Sequence, residues 1–207
     1  MLKLYGRANS SNVRKVLWTL DELGPEYERV DYGRGYAPTD TPEYRAINPS
    51  GLVPALRDGE ITIGESNTII RYLVRREKAD YLLPPEPVAA AKIEQWMDWQ
   101  SAEMVRPLGP LFIGGHLDMP PTNNPDEQTR ALAQAIKLMS TLDTQLARTG
   151  AHVTGDNFTA ADLAIGVHVH RWFALDIDRP EHAALTRYYA TLSERPAYMT
   201  HVNNGLP

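Results

Sequence analysis

The stretch of chain that decides the fold is residues 1–32, which read MLKLYGRANSSNVRKVLWTLDELGPEYERVDY. Met1–Tyr5 is mostly apolar and predicts a short strand. The alternation of residue types along Tyr27–Tyr32 predicts a second strand. An amphipathic helix lies between them, and Gly24-Pro25 ends it. The apolar residues that recur at helical spacing are Val13, Val16, Leu17 and Leu20. The order predicts a right-handed β-α-β unit.

Two further strands are predicted on either side of Asp58-Gly59. Leu52–Leu56 and Glu60–Ile63 are apolar or β-branched, and Asp-Gly suits the positive φ angles of a hairpin turn. A helix follows, and its predicted packing residues are Ile69, Ile70, Tyr72 and Leu73. With an irregular segment between the β-α-β unit and the hairpin, this order predicts a thioredoxin-like domain with a mixed four-stranded sheet over residues 1–80.

The composition changes at residues 81–88, where three prolines stand close together. Proline lacks an N–H donor and cannot continue a helix, so this segment is predicted to be an interdomain linker. Residues 89–207 are predicted to form an all-helical domain, which makes the fold class α/β plus all-α. Its helices are expected to begin near Val88, Pro125, Thr159 and Glu181, with Pro107 and Pro110 bending or ending the first.

The composition also limits the functions that the chain can perform. Among 207 residues, 21 Lys+Arg stand against 26 Asp+Glu, and the net charge of −5 gives no support for nucleic-acid binding. No apolar run approaches the roughly 18–20 residues of a membrane span, and no secretory signal is visible. We therefore expect a cytoplasmic protein that binds neither nucleic acid nor membrane.

The absence of cysteine excludes disulfides, Cys-ligated zinc and a cysteine nucleophile. The six histidines do not show the spacing of a metal site, because His168 and His170 point to different sides of a helix. No metal site is expected.

The first candidate site is Asn9–Arg14, at the junction of the first strand and the first helix. Unpaired N–H groups and a partial positive charge favour an anion there. A thiol held against this helix start would have its pKa lowered, and a serine hydroxyl could donate a further hydrogen bond to the thiolate. The alternative is that Ser10 or Ser11 only caps the helix, which this segment alone favours.

The second candidate is Val53-Pro54. A cis peptide bond here would turn the backbone N–H and C=O of Val53 towards a peptide-like ligand. The alternative is an ordinary edge or turn proline.

The third candidate is the start of the helix after the hairpin, at Glu65 and Ser66. Glu65 could pair with the ammonium of an α-amino acid, while the hydroxyl and backbone N–H of Ser66 hold its carboxylate. The alternative is a capping box from Thr62 to Glu65, or an ordinary cap at Ser66.

A fourth motif is interpreted as structural. Thr159 as N-cap and Asp162 three residues later form an aspartate version of the capping box, and Phe158 with Leu163 fits a hydrophobic staple. Loss of the Asp162 side chain is expected to cost roughly 1–2 kcal/mol of stability through lost capping.

Taken together and in this order, the four motifs resemble those of glutathione S-transferases, over essentially the whole chain. Asn9–Trp18, Asn48–Pro54 and Glu65–Asn67 are most similar to bacterial, theta-like members that use a serine. The resemblance implies an enzyme that stabilises the thiolate of glutathione for attack on a small hydrophobic electrophile. Glutathione would be the co-substrate, with no further cofactor.

The resemblance implies a role for each residue of the first motif. Ser10 would be the thiolate-stabilising hydroxyl, because serine-type members place it four residues before an arginine, here Arg14. Ser11 is the fallback, and Asn12 would add a second donor.

The same resemblance assigns the rest of the glutathione site. Val53 would hold the cysteinyl backbone beside a cis Pro54, and Glu65 and Ser66 would bind the γ-glutamyl end. Many relatives carry a lysine or similar polar residue before the Val-Pro pair, where this chain has Leu52. The candidates left for the glycyl carboxylate are Arg34 and Asn48.

The resemblance further implies an electrophile pocket between the domains, and its candidate lining residues are Arg106, Phe112 and His116. It also implies a homodimer. Trp96, Met97 and Trp99 are compatible with the subunit interface, although an apolar helix stripe also fits an intramolecular core.

Other functions remain open at this point. The same thiolate could reduce peroxides or disulfides, or remove halogen from halo-acids, and the sequence does not separate these activities from conjugation. A non-catalytic binding or assembly module and a glutathione-independent ligand carrier are alternatives of another class. Leu52 favours the binding module mildly, while intact Ser10, Pro54 and Glu65-Ser66 speak against it.

Overall fold

The first part of the chain forms the predicted mixed sheet with helices packed against it. The structure is a computed structural model and describes residues 1–205 and Pro207. The sheet order is β2-β1-β3-β4, with β1 parallel to β2 and antiparallel to β3. The elements are β1 (Leu2–Tyr5), α1 (Ser11–Leu23), β2 (Tyr27–Val30), α2 (Pro42–Ile47), β3 (Ala55–Asp58), β4 (Ile61–Gly64) and α3 (Ser66–Arg76). The β-α-β unit and the four-stranded sheet are confirmed.

The second part is helical. Its elements are α4 (Pro87–Trp99), a π-helical segment (Gln100–Met104), α5 (Val105–Pro110), a second π-helical segment (Leu111–His116), α6 (Pro125–Thr149), α7 (Ala160–Ala174), α8 (Ala183–Ser193) and α9 (Pro196–His201). None of the helices in the described part of the chain is both long enough and apolar enough to span a membrane.

The hairpin turn lies one residue later than the sequence predicts. Asp58 pairs with Ile61, so the two-residue loop is Gly59-Glu60, with Gly59 at φ 58°. Strand β3 also begins at Ala55 rather than at Leu52. Pro54 has no N–H to donate to a strand ladder, which accounts for the later start.

The first long helix does not end at its prolines, and that part of the prediction is wrong. Pro107 and Pro110 lie inside helical structure, which continues to His116. A proline removes one backbone donor and crowds the preceding turn, and the wider π-helical turns on either side accommodate it. The segment predicted to be irregular also contains the short helix α2.

Helix α1 lies at the junction of the two parts. Its residues Val13 and Leu17 pack in the cluster formed by the sheet and α3, whereas Trp18 packs in the helical cluster. The Trp18 ring lies 4.8 Å from the ring of Tyr198. A Cβ added to Gly166 of α7 would come within 2.9 Å of the Trp18 ring, so glycine permits this close approach. Helix α1 therefore packs against both parts of the chain.

The start of α7 carries the expected capping hydrogen bonds and two more. The Asp162 carboxylate accepts from the backbone N–H of Thr159 (2.8 Å) and from its hydroxyl (3.1 Å). It also accepts from the Val153 N–H (3.1 Å) and from the Tyr188 hydroxyl (2.9 Å). Burial raises the pKa of Asp162, and these donors oppose that shift. Asp162 thus joins three segments of the helical part as well as capping α7.

Candidate active site

Ser10 occupies the N-cap position of α1 in an extended backbone conformation. Its carbonyl accepts from the Arg14 N–H (2.8 Å), and its own N–H donates to the Arg7 carbonyl (3.2 Å). Its side chain makes no capping hydrogen bond. The hydroxyl is therefore not committed to the helix, as it would be if Ser10 only capped α1.

Helix α3 begins at a strained residue that lies close to the start of α1. Glu65, its N-cap, has φ 62° and ψ 113°. A side-chain-bearing residue at positive φ carries a cost and is enriched at ligand sites. The Ser66 hydroxyl donates to Asn12 Oδ1 at 3.3 Å, which ties the two helix starts together. Thr62 lies within β4, so the alternative of a capping box from Thr62 to Glu65 is wrong.

A narrow crevice of about 40 Å³ runs between these helix starts and the loop before β3. The Val53-Pro54 bond in this loop is cis. The lining residues of the crevice are Asn12, Asn48, Leu52, Val53, Pro54, Glu65 and Ser66. Residues from three separate motifs of the sequence thus meet at one place.

Asn48 shapes the loop of the crevice. Its amide donates to the Leu52 carbonyl (2.8 Å), which also accepts from the Tyr44 hydroxyl (2.8 Å). Its Oδ1 accepts from the Ser50 hydroxyl at 3.1 Å. These bonds hold the backbone of Leu52 in place. Leu52 itself is 62% exposed and brings no charge to the crevice.

A second cavity, of about 210 Å³, adjoins the start of α1 and is called here the arginine cavity. It is lined by Arg7, Asn9, Arg14, Arg34, Phe112, His116, Leu117 and Pro207. The rings of Phe112 and His116 stack at 5.6 Å. Asn9 lines this cavity and Asn12 lines the crevice, so Ser10 lies in the turn that connects the two.

Two of the candidate residues named from the sequence line different cavities. Arg106 lines a different cavity, of about 290 Å³, together with Gln134 and Lys137 of α6. Six residues separate it from Phe112, so the two side chains leave different faces of the helix. Arg34 lines the arginine cavity with Phe112 and His116, and it is not among the residues of the crevice.

The three residues considered for a subunit interface differ in how deeply they are buried. Met97 is fully buried in the helical core. Trp96 and Trp99 are partly buried against that core, with ring centres 5.1 Å apart. Met97 is therefore a core residue rather than an interface residue.

Sequence patterns alone missed a buried polar network beneath the site. The Lys15 ammonium donates to Asn67 Oδ1 (3.0 Å) and to Gln100 Oε1 (2.9 Å). Burial lowers the pKa of Lys15 to about 7, against the opposing charge of Glu65. Burial also lowers the pKa of His168, which faces Gln100. The only signal in the sequence is Lys15 beside the apolar residues of α1.

No group of three or more His, Asp or Glu residues placed to hold a metal ion occurs in residues 1–205 or Pro207.

Comparison with known proteins agrees with this geometry. Residues 1–75 match the family model of the glutathione S-transferase N-terminal domain, and residues 125–191 match that of the C-terminal domain. Glutathione S-transferase GstB of Escherichia coli strain K12 is 34% identical over 199 residues, which cover 95% of each chain. The chain belongs to the glutathione S-transferase family.

Solved structures of related transferases share the whole architecture of this transferase. The theta class glutathione S-transferase of the citrus canker pathogen Xanthomonas axonopodis pv. citri, with glutathione bound, has a TM-score of 0.92 at 37% identity. The match covers 100% of this transferase and 99% of the Xanthomonas chain. The apo form of the same protein has a TM-score of 0.84 at 32% identity, and the match covers 100% of this transferase and 98% of that chain. The predicted fold class, family and theta-like resemblance are therefore confirmed.

Proposed function

We propose that this glutathione S-transferase binds glutathione along the crevice between α1 and α3 and stabilises the thiolate with the Ser10 hydroxyl. The observation that carries the proposal is this hydroxyl, which stands at the start of α1 without capping it. It lies in the turn between the crevice and the arginine cavity, where a nucleophile and an electrophile could meet.

The energy that the thiolate requires is within reach of these groups. A free cysteine thiol has a pKa of about 8.5, so a shift of two units makes the thiolate dominant at neutral pH. That shift corresponds to roughly 2.7 kcal/mol, which a hydroxyl hydrogen bond and a helix N-terminus can together supply. Asn12 is proposed as a second donor through its amide, because its Oδ1 already accepts from Ser66. Ser11, the first residue of α1, is the fallback.

The rest of the crevice suits the γ-glutamyl-cysteinyl part of glutathione. The N-terminus of α3 attracts a carboxylate, and the hydroxyl and N–H of Ser66 are the proposed donors. The Glu65 carboxylate is the proposed partner of the ammonium. The Val53 backbone, beside the cis peptide bond, is proposed to pair with the cysteinyl residue.

The proposed reaction is attack of the thiolate on an electrophile held in the arginine cavity, beside Phe112 and His116. A new S–C bond forms, and the leaving group departs with the electrons of the bond that it breaks. The step therefore balances without an oxidant, a reductant or a second cofactor. Reduced glutathione is abundant in the cytosol, and we propose that the enzyme acts there.

We further propose the domain boundaries and a homodimer. Residues 1–80 would form the glutathione-binding domain, 81–88 the linker and 89–207 the helical domain, with α4 starting at Pro87. The homodimer is supported by exposed apolar side chains before α4, in α4 and at the start of α5, namely Tyr81, Val88 and Val105. Sedimentation equilibrium tests it, with Val88→Glu expected to weaken association.

The activated thiolate is tested by titrating bound glutathione through its ultraviolet thiolate absorbance. In the wild type the thiol should titrate well below free glutathione, and Ser10→Ala should move its pKa back by more than one unit. Ser11→Ala is the matched control, since it removes a neighbouring hydroxyl from the same turn, and should leave the pKa in place. An unshifted thiol in bound wild-type enzyme would refute the mechanism, and a shift lost only in Ser11→Ala would exchange the two roles.

A further inference from the structure

The arginine cavity has a charge composition that a pocket for purely apolar electrophiles does not need. Arg7, Arg14, Arg34 and His116 contribute to its lining, and no aspartate or glutamate does so. The three arginines come from different segments, namely the turn before α1, α1 itself and the loop after β2. Three arginines thus converge on one cavity.

A further arginine, Arg171 of α7, lies behind this lining. Its guanidinium carbon is 4.1 Å from the centre of the Phe112 ring, and the residue is only 6% exposed. Burial lowers its pKa to about 10, with further contributions from Arg14 and Arg7. The pKa of Arg7 is lowered by burial and by Arg34. The guanidinium group of Arg7 is therefore close enough to those of Arg34 and Arg171 for repulsion between them.

Side-chain carboxylates of the described residues form no ion pair with Arg7, Arg34 or Arg171, and the inference rests on these three arginines. The Nε atoms of Arg7 and Arg171 are buried without a hydrogen-bond partner. Arg7 donates to the neutral amide oxygen of Asn9 at 2.7 Å, whereas Arg14 has a partner of its own in a main-chain oxygen of Pro207 at 3.4 Å. A buried cation without a counter-charge is costly, and a bound anion removes that cost.

We propose that the arginine cavity selects electrophiles that carry a carboxylate or a similar anionic group. The inference rests on the proposed function and names the substrate class of that same site. Guanidinium groups bind carboxylates with paired, charge-assisted hydrogen bonds, which Arg7 and Arg34 are placed to donate. The stacked rings of Phe112 and His116 offer a surface for an unsaturated or aromatic body.

A different anion could occupy the same cations, namely the glycyl carboxylate of glutathione. Arg34 was one candidate for that role, and the crevice has no basic residue in its lining. We favour the electrophile because Arg34 shares its cavity with Phe112 and His116, which belong to the electrophile side. The two occupants give different kinetics in arginine variants. If the electrophile binds the arginines, the variants change the preference among electrophiles. If the glycyl carboxylate binds them, the variants change the affinity for glutathione.

The test compares 4-chloro-3,5-dinitrobenzoate with 4-chloro-3,5-dinitrobenzamide, which share the reacting carbon and the leaving chloride. In each case the S–C bond forms and chloride leaves with the C–Cl electron pair. The readout is the ratio of kcat/KM for the two substrates, divided by the ratio of their uncatalysed rates with glutathione. We expect the wild type to favour the carboxylate by roughly tenfold or more, the scale of one charge-assisted hydrogen bond.

Three arginine variants and one control locate this preference. Arg7→Gln, Arg34→Gln and Arg171→Met should each lower the ratio by several-fold. Arg34 is exposed, so its variant remains informative if Arg171→Met fails to fold. Arg187→Gln, on the exposed face of α8, removes the same charge from the chain and should leave the ratio unchanged.

A binding measurement makes the test independent of turnover. The two S-aryl conjugates, carrying carboxylate or carboxamide, are titrated by calorimetry, and the carboxylate should bind roughly tenfold more tightly. Equal affinities, or no normalised preference in the wild type, would overturn the inference. It is also overturned if the arginine variants raise the KM for glutathione and leave the ratio unchanged, because the glycyl carboxylate then occupies the cations. An unshifted glutathione thiol would instead overturn the proposed function.

Discussion

Removing the Asp162 carboxylate tests whether this residue only caps α7 or also joins buried segments of the helical part. Asp162 is fully buried, and its two oxygens accept four hydrogen bonds from Val153, Thr159 and Tyr188. In Asp162→Ala all four donors lose this acceptor. The Thr159 hydroxyl keeps a contact with the Thr154 hydroxyl at 3.2 Å, whereas the backbone N–H groups of Val153 and Thr159 and the hydroxyl of Tyr188 are left without the bond. A cap alone would cost about 1–2 kcal/mol, which is what the sequence predicted.

The structure predicts a larger loss. A buried donor left without a partner costs about 1–3 kcal/mol, so three of them give a gross loss of roughly 3–9 kcal/mol. The charged carboxylate was itself costly to bury, which offsets part of this sum. We expect a net decrease of about 4 kcal/mol in the free energy of unfolding, a size that indicates a broken buried network.

Urea unfolding at one fixed protein concentration measures this decrease. The matched control is Asn124→Ala at the exposed cap of α6, where Asn124 accepts a single bond from the Glu127 N–H at 2.9 Å. That variant should lose about 1 kcal/mol. Tyr188→Phe, alone and combined with Asp162→Ala, should reveal a coupling energy of at least about 0.5 kcal/mol. A loss in Asp162→Ala no larger than in Asn124→Ala would refute the junction.

Three further outcomes follow from particular contacts. Burial lowers the pKa of Lys15 from 10.5 to about 7, so the unfolded chain binds more protons between those values and stability should rise with pH across that window. In Lys15→Met the free energy of unfolding, measured with urea, should rise between pH 7 and 9 by about 2 kcal/mol less than in the wild type. An unchanged dependence of this free energy on pH would contradict the lowered pKa. Gly166→Ala should cost roughly 1–3 kcal/mol, because its Cβ would meet the Leu192 side chain at 2.8 Å. In thermal unfolding Gly109→Ala is its control, since nothing lies within 4 Å of that Cβ and stability should not fall. Leu52→Lys should lower the KM for glutathione several-fold by supplying a cation for the glycyl carboxylate, and Leu52→Gln should not.

Part of the candidate active site could be predicted from local sequence, because residues close together in the chain form it. The start of α1 at Ser10 and the start of α3 near Glu65 depend on residues within one or two helical turns. Their convergence on one crevice, in contrast, required the resemblance to a family, because no short-range pattern relates helices that lie 50 residues apart. The unusual backbone of Glu65 left no trace in its residue type, since glycine or asparagine is the usual choice at positive φ.

In two sequence predictions that differ from the structure, contacts with distant segments override a local preference. Pro107 and Pro110 were expected to bend or end a helix, which is their local preference. An end at these prolines is wrong, because packing against α6 and α7 keeps helical structure going to His116. The hairpin was located correctly but its loop was misplaced by one residue, because register depends on the strand that it pairs with.

The sequence by itself determined the β-α-β unit, the existence of the hairpin, the capping box of α7 and the absence of protein thiols. Each of these depends on residue type or on spacing within a single element. Only the tertiary structure decided that Arg7, Arg34 and Arg171 converge beside Phe112, that Arg106 lies elsewhere and that Lys15 is buried. Those properties arise when α1 packs between the sheet and the helical part, and contacts between distant segments leave no local pattern in the chain.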